Sequence, residues 1–209
     1  MNSNQLLADA IRKQAPEDVR AALAAGADPN GYIERSSMLG LMEGAAYPPS
    51  EMDRDPWLCI LRILLESGAD PNQPVDDYVG PGYLLHYFAQ HAQLPAMRLM
   101  LDFGANPNLL QDGEDTALDL ATGDAGYVAC ELGEHYQGHP LPEYPRPTEQ
   151  EHDGQRTAYL LWLLSRHQEG CALLRAAGAL RARELPVPTP DPQLKRAAGR
   201  STLQRQTRY

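Results

Sequence analysis

One five-residue phrase is written three times in this 209-residue chain, each time after a leucine-rich run. It reads Gly26-Ala27-Asp28-Pro29-Asn30, then Gly68-Ala69-Asp70-Pro71-Asn72, then Gly104-Ala105-Asn106-Pro107-Asn108. Recurrence at a period of roughly 20–50 residues is the mark of a repeat architecture, in which each unit buries its apolar face only by stacking on the next. The parts of the phrase have separate physical duties. A glycine after a leucine-rich run takes the left-handed conformation that closes a helix. Asp or Asn followed by Pro then favours a turn over further helix.

Set in register, the segments before each phrase read as helix–turn–helix units. Before Gly26, one apolar face comprises Leu6, Leu7, Ala10 and Ile11, and a second comprises Val19, Ala22 and Leu23. The turn falls at Gln14-Ala15-Pro16, where Pro suits a helix start and Glu17 and Asp18 complement the helix dipole. Before Gly104 the pattern returns as Leu84, Leu85, Phe88 and Ala89, then Met97, Met100 and Leu101. Before Gly68, the run Trp57–Leu65 predicts a second helix, with a first helix around Ser37–Gly44.

These units resemble ankyrin repeats. The resemblance rests on the Gly-Ala-Asp-Pro-Asn ends, on Leu85-His86 at the family's Thr-Pro-Leu-His position, and on the stretch Asp112–Ala121, where Asp119 replaces the usual histidine. It implies an all-α solenoid of stacked helix–turn–helix units with finger loops, interrupted here by two irregular insertions. It also implies that the His86 imidazole ties neighbouring finger loops through backbone hydrogen bonds.

The expected units span about 4–30, 31–72, 73–108, 109–138 and 155–179. One insertion falls at Ala45–Pro56, where Tyr47-Pro48-Pro49 breaks helix, and the other is Pro-rich and covers 139–154. On this parse the fourth unit has a degenerate second helix near Ala125–Tyr136, and the fifth turns at His167 to Glu169. A rival parse makes Thr116–Gly178 one unit with a long insertion between its helices. Trp162 favours the rival, because it stands where a small residue normally lets helices approach. Residues 180–209 form a Pro-rich and then basic tail, expected to be extended.

The net charge of −10 is unevenly placed. The tail holds seven Lys/Arg against two Asp/Glu, a net of +5, so residues 1–179 carry −15. Such a body repels nucleic acid and anionic lipid and attracts a basic partner. No apolar run approaches the roughly 18 residues of a membrane span. The N-terminus carries no basic segment followed by an apolar stretch, so no secretory signal is expected. Three scattered cysteines, Cys59, Cys130 and Cys171, provide no disulfide framework and fit a cytoplasmic location. Only two lysines against frequent Arg, Ala, Pro and Gly point to a GC-rich, bacterial gene.

Three constellations bear on catalysis or metal binding. Cys130, His135 and His139 have metal-ligand spacing but fall where a helix runs into a Pro-rich loop, with no paired Cys-x-x-Cys. His86 and His91 lie close in sequence, and the first has its structural duty in the resemblance. Asp112, Glu114 and Asp115 lack the flanking pattern of an EF-hand. No phosphate loop, nucleophile elbow or His-Glu-x-x-His motif occurs. The expectation is a non-enzyme with no cofactor and no metal.

Ankyrin arrays bind proteins along the concave side formed by finger loops and first helices. Carried onto this chain, that surface comprises Tyr32, Glu34 and Arg35 on the first finger, and Asp76, Asp77, Tyr78 and Tyr83 on the second. Gln111, Asp112, Glu114 and Asp115 lie on the third, with Asp9, Arg12, Lys13, Tyr87, Gln90 and His91 on facing helices. Tyr beside carboxylates suits protein recognition: the ring supplies area at low entropic cost and the charge steers a basic partner. The second finger, Val79-Gly80-Pro81-Gly82-Tyr83, is expected to shift on binding. The leading expectation is a protein-binding module for one basic partner, such as an immunity or antitoxin protein that covers a toxin's active site. The alternatives are a host-directed effector or scaffold whose basic tail makes a second contact, and a self-regulated module whose tail arginines fold back onto the acidic fingers.

Overall fold

The computed structural model describes residues 2–42, 56–76, 82–132 and 153–186, with the side chains of 153–158 left aside. Both expected insertions, most of the C-terminal tail, Asp77, Tyr78, Val79–Pro81, His135 and His139 lie outside the described residues.

The fold is mainly helical. Two short helices, α1 (Ser3–Arg12) and α2 (Pro16–Ala24), form a hairpin, followed by β1 (Tyr32–Ile33) and β2 (Ser36–Ser37), an antiparallel two-stranded ribbon. Then come α3 (Pro56–Glu66), α4 (Leu84–Gln90), α5 (Leu94–Asp102), α6 (Ala117–Glu131) and α7 (Asp153–Ala176). Helix α2 packs on α3, α3 on α5 and α5 on α7, which makes one layer; α4 and α6 pack together in the other. A single apolar core runs between the layers, from Leu7 and Ile11 through Ile60, Leu64, Leu85, Phe88 and Met97 to Leu118 and Leu174. No described helix is long and apolar enough to cross a membrane.

The repeated phrase does two mechanical jobs. First, it closes a helix. Gly26, Gly68 and Gly104 have φ of 86°, 92° and 87°, and the helix before each ends in a Schellman motif. In the first, the Ala27 N–H donates to the Ala22 carbonyl and the Gly26 N–H to the Leu23 carbonyl, at 3.0 and 2.9 Å. The alanine that follows is buried in all three copies, which fixes the direction in which the chain leaves the helix.

Second, it joins units. Each closing Asn spans to the next phrase with both ends of its amide. Asn30 Oδ1 accepts from the Asp70 N–H at 2.7 Å while its Nδ2 donates to the Gly68 carbonyl at 2.9 Å. Asn72 does the same to Asn106 and Gly104, and Asn108 to Leu180 and Gly178. Asn4 begins the series by accepting from the Asp28 N–H at 2.8 Å. Within each phrase the Asp or Asn carboxylate or amide oxygen accepts from the N–H two residues on, an Asx turn that holds the bridging Asn in place.

The structure departs from expectation at five places. The first helix expected at Ser37–Gly44 is a 3₁₀ turn over 40–42 in its described part. A Cβ on Gly40 would stand 2.0 Å from the Val75 carbonyl oxygen, so the second finger's backbone presses against this turn. Leu6 is 42% exposed, and Ala8 takes its place in the core. The degenerate second helix near Ala125–Tyr136 is not separate, because α6 runs unbroken to Glu131. The turn expected at His167 to Glu169 is not formed either, since α7 is helical throughout. Leu160, His167, Gly170 and Leu174 all lie on its buried side. Finally, the ladder passes from Asn108 straight to Gly178, whose φ is 84°. Trp162 is 39% exposed, so its bulk obstructs no helix contact.

Candidate protein-interaction face

The finger loops are laced to one another. In the first, a two-residue turn at Glu34-Arg35 joins β1 to β2, with φ of 51° and 77° at residues that carry side chains. This is the type I′ geometry that matches strand twist, normally given to Asn-Gly. The tip leans on α1, where Arg12 Nη2 donates to Glu34 Oε2 at 3.1 Å. The second finger starts by pairing with the first. The Ser37 N–H donates to the Val75 carbonyl at 2.9 Å, Ser36 and Asp76 form an antiparallel bridge, and Gln73 Nε2 donates to the Asn30 carbonyl at 2.7 Å. Tyr83 closes the base of this finger opposite Pro74. The third turns at Asp112-Gly113, again with two positive φ angles, and the Gln111 N–H donates to the Asp115 carbonyl at 2.8 Å.

His86 links the second finger to the third. Its Nε2 lies 3.1 Å from the Leu109 carbonyl oxygen, so Nε2 carries the proton. Burial holds its pKa below the ordinary histidine value, and the ring is neutral at pH 7. One unit later Asp119 takes the equivalent post with reversed polarity. Its carboxylate accepts from the Thr116 N–H and hydroxyl in a capping box, and from the Ala182 N–H at 2.7 Å. The single Thr116 hydroxyl proton can instead serve the Leu180 carbonyl, also 2.8 Å away. Asp119 therefore ties α6 to the 180–182 stretch much as His86 ties α4 to Leu109.

The expected face residues fall into two sets. Tyr32, Glu34, Arg35, Gln90, Asp112, Glu114 and Asp115 are exposed, while Asp76, Tyr83, Tyr87, His91 and Gln111 are half-buried. Glu34 is matched by Arg12, and an exposed pair of this kind contributes little to stability. By contrast, Asp112, Glu114 and Asp115 make no side-chain ion pair among the described residues. His91 is half-buried. It closes α4, packs edge-on against Tyr87 with ring centroids 5.1 Å apart, and is held below its ordinary pKa by burial.

Two features escaped the sequence reading. Nothing there assigned the phrase's asparagines their bridging role, although their recurrence at one register was the available signal. His167, expected in an open turn, is 3% exposed on α7, where burial first and then the charge of His91 push its pKa down to about 4. Among the described residues no cluster of His, Cys, Asp and Glu is placed to hold a metal ion. The arrangement offers fixed carboxylates and one exposed tyrosine ring along a row of loops, chemistry suited to receiving amines and guanidiniums. Compared with known proteins, the chain matches no family model and no curated protein sequence.

Proposed function

We propose that the chain is an ankyrin-repeat protein-interaction module of four units, ending at Gly26, Gly68, Gly104 and Gly178, that binds a basic protein along its finger edge without catalysis. The observation that carries this reading is the lacing of the fingers: the second is hydrogen-bonded to the first, and His86 reaches from the helix after the second to the third. A row of loops held this way loses little conformational freedom on binding, so its exposed carboxylates engage a partner at low entropic cost. Asp112, Glu114 and Asp115 supply the charge, and Tyr32, 42% exposed, supplies an aromatic contact. In a bacterial, cytoplasmic setting the concrete form is an immunity or antitoxin protein that covers the active-site cleft of a basic toxin.

The test is affinity capture from the native host with the full chain, beside a triple variant with Asp112, Glu114 and Asp115 replaced by Asn or Gln. A stoichiometric basic partner, held at least about tenfold less tightly by the variant, supports the reading. Capture that is indifferent to the three carboxylates removes the finger edge as the site. The effector or scaffold alternative places the second contact on the basic tail, and deletion of residues 187–209 separates the two.

A further inference from the structure

The opposite layer carries a feature of reversed sign. Arg20, Arg62 and Arg98 each stand six residues before a phrase glycine, so they share one register on α2, α3 and α5. Arg20 is paired with Glu17 one turn away. Arg62 and Arg98 are exposed and make no hydrogen bond or ion pair among the described residues. In α7 the register position is Ala172, and the arginine comes instead from Arg166. Together Arg62, Arg98 and Arg166 line one groove of about 410 Å³ across α3, α5 and α7, floored by Leu58, Leu94 and Leu99.

Arg166 is held ready for a ligand. Its Nε donates to the Ala92 carbonyl at 3.3 Å, and its guanidinium lies over the Trp162 ring, 5.2 Å from the centroid. Its Nη groups make no hydrogen bond or ion pair among the described residues, and the side chain lines the groove. Trp162 in turn lies beside Tyr159, 5.8 Å between ring centroids, and both rings are exposed at 39% and 49%. Trp162 thus stands next to the groove through Arg166, and arginine and tryptophan are residue types on which binding energy concentrates.

We propose that this groove binds an acidic polypeptide segment in extended conformation, with Arg62, Arg98 and Arg166 each receiving a carboxylate and Trp162 an apolar side chain. Three guanidiniums against two carboxylates leave the groove with a net positive charge that favours an anionic ligand. Their placement on three neighbouring helices decides what kind of anion fits. Packed helix axes lie about 8–10 Å apart, and an extended chain of polyproline-II type advances about 3.1 Å per residue with three residues per turn, about 9 Å between side chains on one face. A polyproline-II segment crossing the helices therefore turns one acidic side chain to each arginine when every third residue is Asp or Glu, because the chain has three residues per turn. A small inorganic anion would meet one arginine and leave most of the groove empty. Asp102 and Glu169 also line the groove. They oppose a phosphate backbone charged at every unit more than a peptide charged only at every third residue, and they accept the N–H groups of that peptide.

The probe is a fluorescent peptide about nine residues long with Glu at every third position, titrated into the full chain beside a counterpart with Gln at those positions. The Glu peptide is expected to bind, to change Trp162 emission and to shift amide resonances on α3, α5 and α7, with affinity that falls as salt rises. Replacing Arg62 and Arg98 together by Gln should weaken it at least about tenfold, and Arg98→Gln alone by less, with helix content unchanged because both positions are exposed. Substitution of Asp112, Glu114 and Asp115 should leave this affinity in place, so the result stands apart from the fate of the finger edge. Equal binding of the Gln peptide, indifference to both arginine variants, no binding at millimolar peptide, or preference for a single-stranded oligonucleotide would each overturn the proposal.

Discussion

The stretch from α1 to the third finger and the final pair α6/α7 are built on different terms. In the former, every helix pair ends in a phrase that both receives an asparagine from before and sends one onward. In the latter, Gly178 and Leu180 receive Asn108 but send nothing, because Leu180 and Ala182 stand where Asp and Asn would be. The Ala182–Glu184 turn and the Arg175–Glu184 pair, 2.8 Å apart, finish the chain's last described stretch. The helices differ too: α7 has 24 residues against nine in α5. The contrast teaches that the phrase is a connector as well as a helix stop. Where another unit follows among the described residues the phrase is complete, and at Gly178 only its helix-closing half is present.

Removing the connector between the two regions is the most forceful way to break that comparison. Asn108→Ala deletes two bonds and leaves the Leu180 N–H and Gly178 carbonyl to water. A loss of about 2 kcal/mol is expected in urea unfolding, and hydrogen exchange should show α6 and α7 opening ahead of α1 to α5. Uniform exchange throughout would mean that packing alone couples the regions.

The two regions should also separate by pH. The last pair buries His167, whose folded pKa of about 4 lies below its unfolded value near 6.5. Its neutral form is the folded one, so this contribution is complete above pH 6.5 and is lost as pH falls from there toward 4. A decline of about 2 kcal/mol over that window is expected, and His167→Gln should flatten it. His86 and His91, also lowered by burial, act in the same direction. An unchanged pH profile in the variant would assign the decline to those two.

Asp124 on α6 provides the smallest and opposite effect. Burial raises its pKa to about 6, above the ordinary 3.8, so the folded state favours the protonated acid and stability falls as pH rises between those values. Asp124→Asn should therefore stabilise the protein at pH 7 by about 1 kcal/mol, a figure kept small because the group is half-exposed and screened. A destabilised variant would mean that the carboxylate has a favourable partner.

Much of this was legible residue by residue. The Gly-Ala-Asp-Pro-Asn copies announced the helix ends, and the apolar spacing of α2, α4 and α5 announced their buried faces. His86 and its tie to the third finger followed from the ankyrin resemblance. The reading failed where spacing was ambiguous. Leu6 shares helical phase with Leu7 and Ala10, yet it is 42% exposed and Ala8 is buried in its stead. In α7 the His-x-Glu stretch looked like a turn, but a neighbouring helix layer can make such a stretch helical and bury His167.

The sequence by itself therefore determined the periodic frame, because a positive-φ glycine, an Asx turn and a bridging amide are local chemistry repeated at fixed intervals. It also determined the charge of the finger edge. Only the tertiary structure decided how far α7 extends, which histidine is buried, and that Arg62, Arg98 and Arg166 share a groove. Those outcomes depend on which helices lie side by side, and packing between residues about seventy positions apart leaves no local trace in the chain.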